Sequence, residues 1–205
     1  MSTNNIIYNN KEINEIVITN ILNMLKRRKI LSDDKSNANI IDKLDINHDK
    51  FIYNLSLSND VVISVYFVNI KLNSITNGSP LAEYLDSDIN IHKIVVVKDV
   101  AKKVIKQVVN DFKNAEVFFE SELMVDIGTI TFIPKHQLLS KEEKEELIGK
   151  IPERNLAHIF TTDRMAREYN ASVGDIFRII RPSIVAGKNI FYRRVINGSW
   201  DILFD

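Results

Sequence analysis

Metal-dependent cleavage of a phosphodiester needs two acidic ligands with a lysine close by, held on adjacent strand edges. The sequence offers the Asp-x-Lys pattern at Asp33-Asp34-Lys35 and at Asp111-Phe112-Lys113. The first lies in a polar stretch and the second inside a helical pattern, and no Pro-Asp pair precedes either. His48, His92, His136 and His158 fall in separate elements, so no two share the helical turn of a paired zinc site. Glu142-Glu143 and Glu145-Glu146 alternate with Lys141 and Lys144. Solvent and the neighbouring cations keep those carboxylates ionised, as on a charged helix face rather than in an acid–base pair. There is no cysteine, which excludes a thiol nucleophile, a disulfide framework and a Cys-type zinc site. No glycine-rich phosphate loop or nucleophile elbow occurs. The expectation is therefore no catalytic residue, no metal, no cofactor and no small-molecule substrate.

What remains is the chemistry of recognition. Between Arg164 and Arg194 there are seven Lys or Arg against two Asp or Glu, a local charge of +5 in a chain whose net charge is zero. Arg164, Arg167, Arg178, Arg181 and Arg193 dominate that segment, and the planar, multi-donor guanidinium is favoured at interfaces. Arg181, directly before Pro182, is the strongest single candidate for a contact. A second cluster, Lys26-Arg27-Arg28-Lys29, has two readings. It complements the dipole at the end of a helix, or it faces phosphate.

The elements that must position these residues follow from period and punctuation. Ile13, Ile16, Val17, Ile21, Met24 and Leu25 recur at three and four and predict an amphipathic helix. Val61 to Val68 and Ile94 to Val97 predict buried strands. Asn77-Gly78-Ser79-Pro80 predicts a turn and a short helix through Leu85. Asp99 is placed to cap a helix presenting Val100, Val104, Val108 and Phe112. Val117 to Phe119 and Ile127 to Phe132 complete a strand–helix–strand alternation, a small α/β domain over residues 1–133.

Pro134 opens a second region, 134–205. Ser140 and Glu143 have capping-box spacing, with Gly149 placed to close the helix. A strand at Ile159 to Thr161 leads to Asp163, a second cap, and Asn170 suits a left-handed exit. Val173-Gly174-Asp175 turns into a strand at Ile176 to Arg181, which Pro182 should end. Another strand is expected at Ile190 to Val195. Asn197-Gly198 predicts a hairpin that folds Trp200 to Phe204 back onto it. The fold class is α+β: the α/β domain, then a compact α+β domain with a mixed or antiparallel sheet and a C-terminal hairpin.

A chain of 205 residues, 45% hydrophobic and 26% charged, can bury an ordinary core without staples. The polar, Asn-rich start is not expected to act as a secretory signal, and the longest apolar run is too short for a bilayer, so no membrane is expected. Neutral net charge disfavours unaided nucleic-acid binding. A free-standing DNA-binding protein using the Arg164–Arg194 segment is the alternative reading.

The stretch Thr162-Asp163-Arg164-Met165-Ala166-Arg167-Glu168-Tyr169-Asn170, then Val173 to Ser183, Ala186-Gly187 and Tyr192-Arg193 resembles a known family. It is similar to the C-terminal assembly domain of the fifth shared subunit of eukaryotic RNA polymerases, which has a counterpart in archaea. That family reads Asp-Pro-x-Ala-Arg-Tyr-x-Gly, a Gly-containing turn, Val-x-Lys-Ile-Ile-Arg-Pro-Ser, x-x-Ala-Gly and Tyr-Arg, with no gap from Asp163 to Arg193. The resemblance is coherent but thinner over the first part, which implies the eukaryotic type of N-terminal jaw domain, similar to a nuclease fold without its active site. It implies a non-catalytic subunit of a DNA-directed RNA polymerase, docking on the largest subunit and neighbouring other polymerase subunits, with the jaw beside downstream DNA. On that resemblance the partner-binding residues are Arg164, Arg167, Arg178, Arg181 and Pro182, then Ser183, Ala186, Gly187, Tyr192 and Arg193. Lys26, Arg27, Arg28 and Lys29 are the DNA-proximal candidates. The location implied is intracellular: the nucleus for a cellular protein, host cytoplasm and virion for one encoded by a large DNA virus, which the Ile/Asn bias favours.

The departures are specific. Arg164 stands at the family's Pro and Asn170 at its Gly. Ser183-Ile184-Val185-Ala186-Gly187 replaces a Ser-Glu-Thr-Ala-Gly loop, and Asp99-Val100-Ala101 replaces the jaw's Thr-Pro-Ser-Ala stretch. The chain also runs on from Asn197 to Asp205.

Overall fold

Parallel strands need long crossovers, which helices usually supply, and the first half of the chain is built on two of them. The computed structural model describes residues 10–32, 45–47, 51–56, 62–183 and 187–201. The chain divides into two compact units, Met1–Val125 and Asp126–Asp205. In the first, α1 (Asn10–Arg27) precedes β1 (Asp45–Asn47), β2 (Ile52–Ser56) and β3 (Val62–Val68). Then come α2 (Pro80–Asp86), β4 (His92–Val97), α3 (Lys102–Asp111), β5 (Ala115–Phe119) and the single turn α4 (Glu120–Leu123). The strands form one sheet in the order β1-β2-β3-β4-β5. Its first two pairings are antiparallel and its last two parallel, so α2 and α3 are the crossovers.

Alternation along the strands decides which face meets which helix. Ile63, Val65 and Phe67 of β3, Ile94 and Val96 of β4 and Phe118 of β5 pack against Val17, Ile21, Leu22 and Leu25 of α1. On the other face Tyr84 of α2 donates its hydroxyl to the Ser64 carbonyl at 2.9 Å, and its ring lies 4.9 Å from that of Tyr66. Lys93, cross-strand from Ser64 and only 1% exposed, is also on that face. Its Nζ donates to the Leu85 and Ser87 carbonyls at 2.8 and 2.7 Å, capping the end of α2. Burial lowers the Lys93 pKa, against the opposing pull of Asp88 and Asp86.

The second unit is three layers. β6 (Lys135–Leu138), β7 (Ala157–Phe160), β8 (Ile176–Ser183) and β9 (Gly187–Ile196) form a mixed sheet in the order β6-β8-β9-β7. Its pairings are antiparallel except for β7 with β9. α5 (Lys141–Lys150) covers one face, where Leu147 meets Ile176 and Tyr192. α6 (Arg164–Glu168) covers the other, where Ala166 packs with Ile159, Phe177, Ile179 and Val195. Ser140 and Glu143 form the expected capping box. Asp163 caps α6 by accepting from the Met165 N–H at 2.8 Å, and Asn170 takes φ 49°.

Five local expectations are corrected. Asp99 does not cap α3, whose N-cap is Ala101 without a side-chain bond. Val100 bridges Leu72, which holds 99–101 extended, and the Asp99 carboxylate pairs with Lys71 at 2.7 Å instead. Ile127 to Phe132 is not a strand. Asp126 accepts from the Gly128 N–H and starts a 3-10 turn over Ile127–Thr129, and Phe132 is 85% exposed. Gly149 lies inside α5, which Ile151 caps.

Pro182 does not end β8; it pairs in register with Lys188. The Leu139 N–H bonds the Ile176 carbonyl on the β6 side, so by alternation residue 182 also faces that side. β6 reaches no further than Ile180, so the N–H that proline lacks is not needed there.

Among the described residues the expected strand does not form at Trp200 and Asp201. Next to the turn, from Arg193 onward, both edges of β9 are already occupied, by β8 and β7, and Trp200–Asp201 is a 3-10 turn. Gly198 lacks a positive φ; it is small because a Cβ there would overlap Thr162 Oγ1 and lie 2.8 Å from Phe160 Cβ. Ile202 to Phe204, like Ala186 and Asp33-Asp34-Lys35, lie outside the described residues.

Candidate functional site

β8 and β9 are longer than their neighbours, and that difference creates the candidate site. β6 pairs with β8 over 177–180, and β7 pairs with β9 over 193–196. The distal part of the hairpin, 181–183 with 187–192, therefore projects as a two-stranded ribbon. Its residues are Arg181, Pro182, Lys188 and Asn189, all exposed, with Ile190 at 55% and Phe191 at 45%. Gly187 takes φ 69° at the return of the chain, and Ser183 pairs with it. The Arg181 guanidinium lies over the Phe191 ring, 5.1 Å from its centre, a cation–π contact on an open surface. From Ile176 to Ile196 the sequence has no Asp or Glu.

The register separates the arginines rather than gathering them. Arg181 shares a face with Phe177 and Ile179, and Arg193, half-buried, lies opposite Phe177 on that same face. Arg178 is on the other face, bonded to the Tyr192 hydroxyl and 3.0 Å from Glu143 in the first turn of α5. Arg164 pairs with the buried carboxylate of Glu168 at 2.5 Å. Arg167, 7% exposed, holds its guanidinium 5.6 Å from the centre of the Trp200 ring. Arg164, Arg167 and Arg178 thus brace helices and tail, while Arg181 is presented outward. His136 accompanies the core of this unit. Burial lowers its pKa, its Nδ1 is 2.7 Å from the Pro134 carbonyl oxygen, and its ring meets Phe177 edge-on.

The other basic cluster divides as well. Arg28 points inward, its side chain 3% exposed, and grips Glu116 with both prongs at 2.6 and 2.7 Å. His92 Nε2 lies 2.6 Å from the same carboxylate. Burial alone would raise the Glu116 pKa, but hydrogen bonds from His92 and Arg28, with their charge, hold it down at about 2. Arg28 cannot meet phosphate without breaking that pair. Lys29, exposed with φ 60°, stands outside it. Lys26 and Arg27 are half-buried. Asp111 and Lys113 are both exposed at the end of α3. Among the described residues no cluster of His, Asp and Glu could hold a metal ion, and no helix is long and apolar enough to cross a membrane.

The ribbon's apolar residues escape a reading by period, because a strand pattern does not reveal where the neighbouring strands stop. Lys93 carries a signal in principle, a lysine leading directly into Ile94 to Val97.

Residues 125–195 match the family model described as RNA polymerase Rpb5, C-terminal domain. Over 198 residues the chain is 26% identical to DNA-directed RNA polymerase subunit 5 of Acanthamoeba polyphaga mimivirus, covering 93% of this chain and 96% of that protein. It is 41% identical over 107 residues to the subunit rpabc1 of RNA polymerases I, II and III of Dictyostelium discoideum, covering 49% of this chain and 54% of that protein. It is 46% identical over 66 residues to subunit Rpo5 of Archaeoglobus fulgidus, covering 31% of this chain but 87% of that protein. The unbroken motif from Asp163 to Arg193, the sheet that carries it and these likenesses agree, and the chain belongs to the subunit 5 family of DNA-directed RNA polymerases.

Proposed function

We propose that this protein is a non-catalytic subunit of a multisubunit DNA-directed RNA polymerase, joined to the largest subunit through residues 134–205. The observation that carries the reading is the projecting β8–β9 ribbon with Arg181 outward, set within the family-matched segment. In the archaeal relative the matched stretch is nearly the whole protein, which supports giving the assembly role to the C-terminal part. Arg181, Pro182, Ser183 and Gly187 are the contacts we favour. Arg164, Arg167, Arg178, Tyr192 and Arg193 shape the surface beneath them.

Residues 1–133 are the jaw-like part, beside downstream DNA in the assembled enzyme, with Lys29 rather than Arg28 turned toward phosphate. The mimivirus likeness across 93% of the chain supports a viral source, and with it work in host cytoplasm and virion. The test is purification of the tagged full chain from cells making the whole polymerase. Co-elution with the large polymerase chains through high salt is expected. A protein that elutes alone and binds DNA in a salt-sensitive way overturns the reading.

A further inference from the structure

The outer edge of β9 is an unguarded strand edge. The Thr161 N–H donates to the Ile196 carbonyl on the β7 side at 2.9 Å, and the Val195 N–H donates to Asp175 on the β8 side at 2.7 Å. Backbone direction alternates along a strand. Lys188 and Ile190 therefore turn their N–H and C=O toward the β7 side, while Asn189 and Phe191 turn theirs toward β8. β7 begins its pairing at Arg193, so among the described residues no strand meets Lys188 or Ile190. Proteins usually blunt such edges with proline, a covering element or charge. On the opposite edge of the ribbon Pro182 does so, since it has no N–H to offer. On the β9 edge the guard is only Lys188, beside two exposed apolar side chains.

We infer that an extended, acidic and apolar segment of another polymerase subunit adds as a strand to the outer edge of β9 at residues 187–192. This rests on the subunit reading above and specifies how the contact is made. Main-chain bonds give such an addition its hold, and side chains on alternate sides give it selectivity. Ile190 and Phe191, on opposite faces of the ribbon, each offer an apolar surface to the incoming strand. Arg181 and Lys188, in a hairpin without a single carboxylate, favour an acidic segment. The same charges oppose a second copy of this chain, whose edge would bring cation against cation.

Amide hydrogen exchange, resolved by residue and measured on the free full chain and on purified polymerase containing it, tests the inference. In the free chain the Lys188 and Ile190 amides exchange fast, while Asn189 and Phe191 are protected. In the polymerase Lys188 and Ile190 slow by at least about tenfold. As a second measurement, Ile190→Pro removes the outward donor without removing a donor to β8, and weakens co-purification well beyond Ile190→Ala. Retention of the chain with Lys188 and Ile190 still exchanging fast overturns the strand addition and leaves the subunit reading intact. Protection that grows with concentration of the free chain overturns it in favour of self-pairing. Protection by an added single-stranded oligonucleotide overturns it in favour of nucleic acid. A chain never retained by polymerase overturns the subunit reading and the strand addition together.

Discussion

Arg28 and Glu116 stand 88 residues apart in sequence, yet they form a two-pronged pair that ties the end of α1 to β5. The pair is nearly closed to solvent, with side chains 3% and 15% exposed. Removing one partner leaves the other desolvated and uncompensated, which is far costlier than losing a surface pair.

Glu116→Gln is therefore expected to destabilise the first unit by about 3 kcal/mol at neutral pH. The pH dependence follows from the lowered pKa. A carboxyl at about 2 in the folded state and 4.5 otherwise contributes fully above pH 4.5 and loses its contribution as pH falls from there toward 2. Urea titrations followed by far-UV circular dichroism at pH 7, 4.5 and 3 check this. The wild type weakens across that range and the variant changes less; identical midpoints at pH 7 would refute the assignment.

Gly198→Ala should lower stability by roughly 1–3 kcal/mol, the usual cost of forcing an added methyl into a filled space. Its Cβ would strike the β7 end and the Thr162 hydroxyl, displacing the turn that brings Trp200 beneath Arg167. Thermal unfolding followed by the emission of this single tryptophan reads the effect directly. An unchanged midpoint would mean that the 197–201 segment is not held as described.

Arg181→Ala should weaken assembly into polymerase more than Lys26→Ala. A charge-assisted contact buried at an interface costs on the order of 2–5 kcal/mol when truncated, against about 0.3–1 kcal/mol for a cation at a helix end. Competition between each variant and wild type for incorporation measures the difference. Equal incorporation would return Arg181 to the status of a surface residue.

A fragment of residues 126–205 should fold alone and keep most of the affinity for polymerase. It contains the whole β6-β8-β9-β7 sheet and both helices that cover it. Pull-down of the fragment beside residues 1–125 checks it; retention of the 1–125 fragment alone would reverse the roles.

The elements most legible in sequence were those specified by neighbours in the chain. α1 shows its stripe, and Ser140 and Asp163 cap within three residues of themselves. Asn170 is suited to its backbone angle by its own side chain. What depends on distant partners was hidden. Arg28 reads as one of four cations until Glu116 arrives from β5. Asn197-Gly198 reads as a hairpin until β7 is seen to occupy the edge that the returning strand would need. The site was half legible for the same reason: the motif locates the hairpin, but only the shortness of β6 and β7 leaves its far end bare.

Pro182 also bears on how many chains can join. A ribbon with two receptive edges would let the β9 of one molecule pair with the β8 of the next, a head-to-tail contact that never closes and grows into filaments. A missing N–H on one side removes half of that contact. The hairpin is left with a single receptive edge, on β9, and its β8 edge makes a poor socket for another hairpin like itself.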